Sequence, residues 1–323
     1  MNDRIMIIDA QNFFLRSYIV DPSLGSNGNP VGGSKGFLKS LNKLVRDIEP
    51  TGIIVVWDGE GGSSRRRSVN KEYKSGRKPP RLNRYENNLT PEQIYENRIW
   101  QQVRLIEYLN MTPVIQFMYP GLEADDVIGK LVSIVDAEKV IVSSDKDFYQ
   151  LLDDKTIQMR PAQKEIVNKK RIIENYNIHP NNFALARAIV GDSSDNLSGI
   201  KGVGLGTVAK RFPFLREERS VTRSELLNHC RKEIDSGSKL KVFKDVLVGE
   251  SVIAENYEMM QLYSPKMSIS VVDEIKRTLS DFEYEFNKTG MLKLMTKDGV
   301  GDANLQSLFQ LFNKFVAVRA ATR

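Results

Sequence analysis

The side chains best suited to chemistry are nine carboxylates gathered in short runs. They are Asp9, Asp58, then Glu123, Asp125 and Asp126 in Gly-Leu-Glu-Ala-Asp-Asp, Asp145 and Asp147 in Ser-Ser-Asp-Lys-Asp, and Asp192 and Asp195 in Gly-Asp-Ser-Ser-Asp-Asn. Singly, each reads as a turn former or a helix cap, because acids satisfy free amides and the dipole at helix N-termini. Asp192 and Asp195, three apart, are expected on one helical face. Together the nine read differently. Asp9 and Asp58 close apolar runs of strand length, and Asp145 and Asp147 follow a third. In one parallel sheet those ends share an edge, and two carboxylates 4 Å apart repel by about 4 kcal/mol at an effective dielectric near 20. Bound cations relieve this, and oxygen-only ligands select hard ones, Mg²⁺ or Mn²⁺. The chain has two histidines, His179 and His229, and one cysteine, Cys230, too few for a multi-His or thiolate zinc site. Two ions about 3.5–4 Å apart on carboxylates suit phosphodiester hydrolysis.

Between Arg65 and Arg84 stand nine cations, Arg65, Arg66, Arg67, Lys71, Lys74, Arg77, Lys78, Arg81 and Arg84, against one acid, Glu72. A solvated charged face is the plain reading, but so many like charges repel one another. A polyanion relieves that repulsion and releases its counterions, and the interleaved Tyr73 and Tyr85 are suited to stack on unpaired bases. The run follows Asp58, so it is tethered at the mouth of the carboxylate site. Further on, Ser198–Ala209 (SGIKGVGLGTVA) fits a helix–hairpin–helix pattern. Its Gly199, Gly202, Gly204 and Gly206, with Lys201 and Thr207, offer backbone amides to phosphate oxygens and position a duplex without reading its sequence. A tight turn between helices is the alternative. Near the end, Gln306, Leu308, Phe309, Leu311 and Phe312 look like a short peptide that docks on a sliding clamp; a helix packing its apolar side on the core is the other reading.

Strands are expected at 5–9, 53–58, 113–117 and 140–144, alternating with helices at 35–48, 90–110 and 123–135. Thr90 followed by Pro91 is a good helix start. Such alternation predicts an α/β fold with a mostly parallel sheet flanked by helices, whose ligands sit outside the carboxyl ends of the strands. Residues 21–36, rich in Gly, Ser and Asn, are expected to form a long loop, and helix-rich sequence runs from about 181 to the end. The 323 residues are 41% hydrophobic and 27% charged, with a net charge of +6, the mix of a globular protein with a real core. Neither a membrane-spanning apolar stretch nor a signal-peptide core is apparent, so a cytoplasmic protein is expected, in the host cytoplasm if phage-encoded.

The blocks MIIDAQNFFLRSY, VVWDG with RRRSVNKEYKSGR, GLEADDVIGKL, VSSDKDFYQLL and GDSSDNLSGIKGVGLGTVAKRF, in this order, resemble the 5′-nuclease superfamily. That group includes flap endonucleases, the 5′-exonuclease domain of bacterial DNA polymerase I, and phage 5′-exonuclease/RNase H enzymes. The resemblance covers about residues 5–212. It implies a PIN-like α/β domain over 1–178, with a basic arch over about 59–105. It also implies a helical region over 179–323, with a helix-three-turn-helix duplex-binding element at 192–212 and a helical C-terminal extension. By the same resemblance, Asp9, Asp58, Glu123 and Asp125 serve a first Mg²⁺. Asp145, Asp147 and Asp192 serve a second, with Asp126 and Asp195 in support, and K⁺ is a further ion at the hairpin. Lys74 and Arg77 match the cations that contact the scissile phosphate. The implied activity is metal-dependent removal of 5′ flaps, overhangs and RNA primers from duplex DNA or RNA–DNA hybrid in replication, alongside a clamp or single-strand-binding protein. The alternatives are a PIN-like single-strand ribonuclease, which the hairpin disfavours, and a non-catalytic DNA-binding accessory protein, which the carboxylates disfavour.

Overall fold

The structure is a computed structural model that describes residues 3–76 and 89–322. Its centre is a six-stranded sheet. Strand β1 (Arg4–Asp9) runs into helix α1 (Ala10–Val20), and α2 (Gly32–Ile48) leads to β2 (Gly52–Val56). A short α3 (Ser64–Val69) and the long α4 (Pro91–Leu109) precede β3 (Ile115–Phe117), α5 (Ala124–Ile134) and β4 (Glu138–Val142). Two further strands follow, β5 (Thr156–Arg160) and β6 (Glu165–Val167). The order is β3-β2-β1-β4-β5-β6, parallel except for the last pair. The chain winds outward from β1 to β3 on one side, then returns to place β4 on the other. That reversal beside β1 opens a crevice at the carboxyl edge.

Alternation along the strands sorts the core. Met6, Ile8, Ile53, Val55, Val140 and Val142 face one layer, packed with α1, α2 and α4. Ile7, Ile54, Val56 and Ile141 face the other, packed with α5. Central strands buried on both sides read as unbroken apolar runs, which is why the sequence reveals them. The two strands it did not reveal, β5 and β6, carry Gln158, Arg160 and Glu165 on the way to the sheet edge. Helix α4 starts as expected: Thr90 and Gln93 cap each other reciprocally, with Pro91 in the first turn.

The helical region begins with α6 (Lys169–Tyr176) and α7 (Pro180–Val190). A two-stranded hairpin of β7 (Gly191–Asp192) and β8 (Leu197–Ser198) precedes α8 (Leu205–Arg211). Helices α9 (Arg223–Asp235), α10 (Lys241–Val248) and α11 (Glu250–Met260) close a core around Phe183, Phe212, Leu226, Phe243 and Ile253. The chain then returns to the sheet. In α12 (Ile269–Asp281), Ile275 packs on the α5 side, whereas α13 (Lys288–Lys297) and α14 (Gln306–Thr322) cover the α1 side.

Three expectations are corrected. The helical C-terminal extension packs back on the sheet, with Met291, Met295, Leu308 and Phe312 buried in the same core as Met6, Ile8 and Val55. For the same reason the clamp-peptide reading fails: Leu308 and Phe312 are wholly buried, Phe309 and Leu311 pack against the same core, and only Gln306 is left at the surface. The loop expected at 21–36 ends at Val31. Gly33 and Gly36 lie inside α2, where a Cβ would meet Phe14 Cε2 and Ser17 Cβ, each at 2.6 Å, so these glycines serve close packing of α1 on α2. Asp192 and Asp195 share no helical face; Asp192 is in β7 and Asp195 in a single 3₁₀ turn, Ser193–Asp195.

Replacing Phe312 with alanine is expected to cost about 3–5 kcal/mol in urea unfolding, the usual loss for a buried aromatic ring. A loss below about 1 kcal/mol would return α14 to the surface.

Candidate active site

All the predicted carboxylates reach the crevice, but in two groups, one holding a buried cation and the other a half-buried one. In the first group, Asp9 ends β1 and caps α1, accepting from the Asn12 amide at 3.1 Å and from Ser143 Oγ at 3.0 Å. Asp58, two residues past β2, accepts from the Ala124 amide at 2.8 Å and so caps α5. Glu123 is saturated. One of its oxygens takes Ser63 Oγ (2.5 Å) and Lys74 Nζ (2.7 Å); the other takes the Tyr73 hydroxyl (3.1 Å) and Arg66 Nη1. Arg66, 3% exposed, also reaches Asp125 and Asp126 at 3.0 Å each, and its Nε donates to the Met259 carbonyl. Burial alone would lower the Arg66 pKa; the flanking Asp125 and Asp126 outweigh it and raise it.

In the second group, Asp145 and Asp147 follow β4, and the Asp147 amide donates to Asp145 Oδ1 at 2.9 Å. Arg187, from α7, bridges Asp147 Oδ1 at 3.2 Å and Asp192 Oδ2 at 2.5 Å. Asp192 also accepts from the Ser194 amide and hydroxyl. Asp195 ties in through its carbonyl, which accepts from the Lys74 amide at 3.0 Å.

Burial first, and mutual repulsion after it, show in the proton affinities. Burial, with Asp58 and Asp145 nearby, pushes the Asp9 carboxyl up to about 7. Burial and then Asp145 push Asp147 up to about 7, and burial with Asp125 pushes Asp126 up to about 6. Asp145 is raised too, by loss of water in the crowded crevice and by Asp125 and Asp195. Asp192 goes the other way: burial is outweighed by Ser194 and Arg187. Among the described residues, no three acidic, His or Cys side chains stand close enough to hold one ion; Arg66 and Lys74 engage Glu123, Asp125 and Asp126, and Arg187 engages Asp147 and Asp192. The donor set itself, carboxylate oxygen throughout, fits a hard divalent cation. No described ion pair reaches Asp9, Asp58 or Asp145, which leaves these three carboxyls available to such an ion.

The basic stretch divides. Arg67 and Lys71 are exposed and Arg65 is half-buried, as a polyanion contact requires. Arg66 and Tyr73 correct the expectation: both are interior, Arg66 as the counter-charge of Glu123, Asp125 and Asp126, and Tyr73 donating its hydroxyl to Glu123. Lys74 lies in the left-handed region at φ 55°, its ammonium 4.9 Å from the Tyr73 ring centroid. Arg77, Lys78, Arg81, Arg84 and Tyr85 lie outside the described residues.

The hairpin forms where expected. Ile200, Val203, Val208 and Ala209 anchor it in the helical core, while Lys201, Gly202, Gly204 and Gly206 are exposed and Thr207 half-buried. A Cβ on Gly202, Gly204 or Gly206 would touch nothing, so their backbone is open to a ligand. Gly199 differs: a Cβ there would meet the Val190 carbonyl oxygen at 2.0 Å, so it seats the hairpin on α7 instead of facing a duplex.

Sequence reasoning missed Arg187, Ser63, Asn12 and Ser143. Arg187 carried a signal, as the single charge in the apolar helix FALARAIV five residues before Asp192. The small polar residues carried none.

Residues 4–177, more than half of the chain, match the family described as 5′-3′ exonuclease, N-terminal resolvase-like domain, and the chain belongs to that family. The thermostable DNA polymerase I of Thermus thermophilus is 31% identical over 211 residues, 64% of this chain and 23% of that protein. The 5′-3′ exonuclease of Buchnera aphidicola subsp. Schizaphis graminum is 31% identical over 209 residues, 63% of this chain and 67% of its own. The chain therefore spans about a quarter of the polymerase and two thirds of the exonuclease. Among solved structures, the zinc-bound 5′-exonuclease of bacteriophage T5 has the same fold, with a TM-score of 0.63 and 17% identity over 98% of this chain and 99% of that one. The Holliday junction-resolving enzyme solved with product DNA and Mg²⁺ shares it with a TM-score of 0.54 and 14% identity, over 97% and 70% of the two chains.

Two outcomes are expected. Asp9 and Asp147 hold protons more tightly folded (about 7) than unfolded (about 3.8), so their contribution is complete below pH 4 and is lost as pH rises through 7. In EDTA the Tm should fall between pH 5.5 and pH 8, and Mg²⁺ should restore more of it at pH 8; a flat or rising Tm in EDTA would contradict the repulsion. Arg66→Met, which leaves three acids without their buried partner, should cost about 3–5 kcal/mol in urea at pH 8 without metal. A change under 1 kcal/mol would show that the cluster does not depend on it.

Proposed function

We propose that this protein is a divalent-metal-dependent, structure-specific 5′ nuclease that cleaves phosphodiesters at 5′ ends, flaps and nicks of duplex DNA. Removal of RNA primers from RNA–DNA hybrid during replication in the cytoplasm belongs to the same reading. The observation that carries it is the gathering of carboxylates from the ends of β1, β2 and β4 and from β7, beside a cation-rich segment and an open glycine hairpin. A pure binding protein would gain nothing from such a concentration of negative charge beside phosphate. Family membership supports it, as does the bacteriophage T5 flap endonuclease, which was solved with DNA and metal ions on the same fold.

In this reading Asp9, Asp58 and Asp125 hold one Mg²⁺ and Asp145, Asp147 and Asp192 a second, with Mn²⁺ as a substitute. Bound there, the ions supply an activated water and offset charge on the phosphate and leaving oxygen. Glu123 and Asp126 act as positioning residues, since Arg66 engages both and Ser63, Tyr73 and Lys74 fill out Glu123. Glu123 aims the Lys74 ammonium at the crevice, where it faces the scissile phosphate; Arg77 is its proposed companion. Gly202, Gly204, Gly206, Lys201 and Thr207 hold the duplex backbone through amides, an ammonium and a hydroxyl, with K⁺ as a further ion. Phosphate contacts of this kind position the duplex without reading its sequence. A single-strand-binding protein is the accessory partner that fits such substrates.

The test is end-labelled cleavage, with Mg²⁺, of a 5′ flap, a nick, a 5′ overhang and an RNA-primed duplex. Products should be released from the 5′ side, and Asp125→Asn and Asp147→Asn should each lose about 100-fold or more in rate. Cleavage of single-stranded RNA alone, or near-normal turnover in either variant, would overturn the reading.

A further inference from the structure

Arg187 stands where the second group of carboxylates would otherwise face one another. It is the only charged residue of α7, and its side chain is 17% exposed. Its Nε donates to Asp147 Oδ1 at 3.2 Å and its Nη2 to Asp192 Oδ2 at 2.5 Å. Asp147 comes from the segment after β4 and Asp192 from the helical unit, so one guanidinium joins the two halves of the crevice. The remaining oxygen of Asp192 accepts from the Ser194 amide at 2.8 Å and the Ser194 hydroxyl at 2.7 Å. Both Asp192 oxygens are thus engaged.

We propose that Arg187 is a positioning residue, the built-in counter-cation of Asp147 and Asp192, and that a divalent ion taking these two carboxylates must displace it. The proposal rests on the reading that Asp147 and Asp192 hold the second ion. A guanidinium carries donors only, so it neither ligates a cation nor shares a carboxylate lone pair with one. A dication entering beside it meets a like charge in a crevice of low dielectric. The exchange is one of ion pairs: the Nη2–Asp192 and Nε–Asp147 hydrogen bonds break, the freed oxygens turn to the ion, and no covalent bond changes. Arg187 therefore does two opposite things. It holds the ion-free fold together by pairing anions that repel, and it weakens the affinity of the second ion by competing for them.

Mn²⁺ binding measured calorimetrically on the whole chain without substrate separates these roles. Arg187→Met is expected to bind the weaker Mn²⁺ about tenfold or more tightly, because a repelling charge is gone. Its Tm in EDTA should fall below that of the natural chain, and the gap should close at saturating Mn²⁺. Arg187→Lys, which keeps the charge but not the fork, should bind Mn²⁺ within about threefold of the natural chain. Asp147→Asn should lose the weaker Mn²⁺. Unchanged or weaker binding by Arg187→Met, with Asp147→Asn still defective, would overturn the displacement while leaving the site assignment intact. If Asp147→Asn binds Mn²⁺ normally, the second-ion reading itself fails and the inference falls with it. Should Arg187→Met not fold, the natural chain answers: the Arg187 Nε–H signal in ¹⁵N NMR should exchange slowly with water in EDTA and faster with Mg²⁺. Unaltered exchange would overturn the proposal.

Discussion

The whole arrangement turns on the repulsion of like charges at one edge of a parallel sheet. The topology that buries β1, β2 and β4 on both faces leaves their carboxyl ends together, and each end leads to an aspartate. Loss of water raises the energy of the charge on Asp9 and Asp145, while Asp58 stays exposed. The fold answers with cations of its own, Arg66 in one group and Arg187 in the other, so that the acids can be concentrated without unfolding the chain. The proton affinities of Asp9 and Asp147 record what is left uncompensated. What remains is electrostatic strain held between hydrophobic layers above and below.

The sequence made much of this legible, for identifiable reasons. Central strands announce themselves as Ile/Val/Met runs, and a strand end followed by aspartate places a carboxylate at the sheet edge. The glycine hairpin was visible because its glycines recur at the spacing of a known pattern; in the structure Gly202 takes a positive φ of 77°, and a Cβ on Gly204 or Gly206 would meet only open space. What stayed hidden depends on distant partners. Nothing local distinguishes Arg66 from Arg65 or Arg67, yet it alone of the three is buried, since α5 presents Glu123, Asp125 and Asp126 to it. The glycines of α2 looked like a loop because close packing of a helix and a lack of structure call for the same residue. The apolar residues of α14 looked like a docking motif because a core helix and a detached peptide share one pattern until the core they fill is seen.

The return of α13 and α14 also changes how the first domain is assembled. Tyr108 donates to Asp298 Oδ2 at 2.6 Å, and Arg104 donates to Asp298 Oδ1 at 2.8 Å, so α4 is bound to the segment after α13 by a buried acid. Residues nearly two hundred positions apart thus fix the far foot of the cationic segment. Its near foot is fixed by Arg66 and Glu123. Both ends of the stretch between them are therefore rooted in the folded core around the sheet.

A last consequence concerns measurement. Asn196 Nδ2 donates to the carbonyls of Glu72 and Ser75, and the Lys74 amide donates to the Asp195 carbonyl, so the loop carrying Lys74 is riveted to the strand pair that leads into the glycine hairpin. The hairpin is thereby tied to the loop beside the carboxylates. If the proposed reading holds, the protein would behave as a gauge: the offset between grip and incision would be a dimension of the folded chain, the same whatever letters the strand spells.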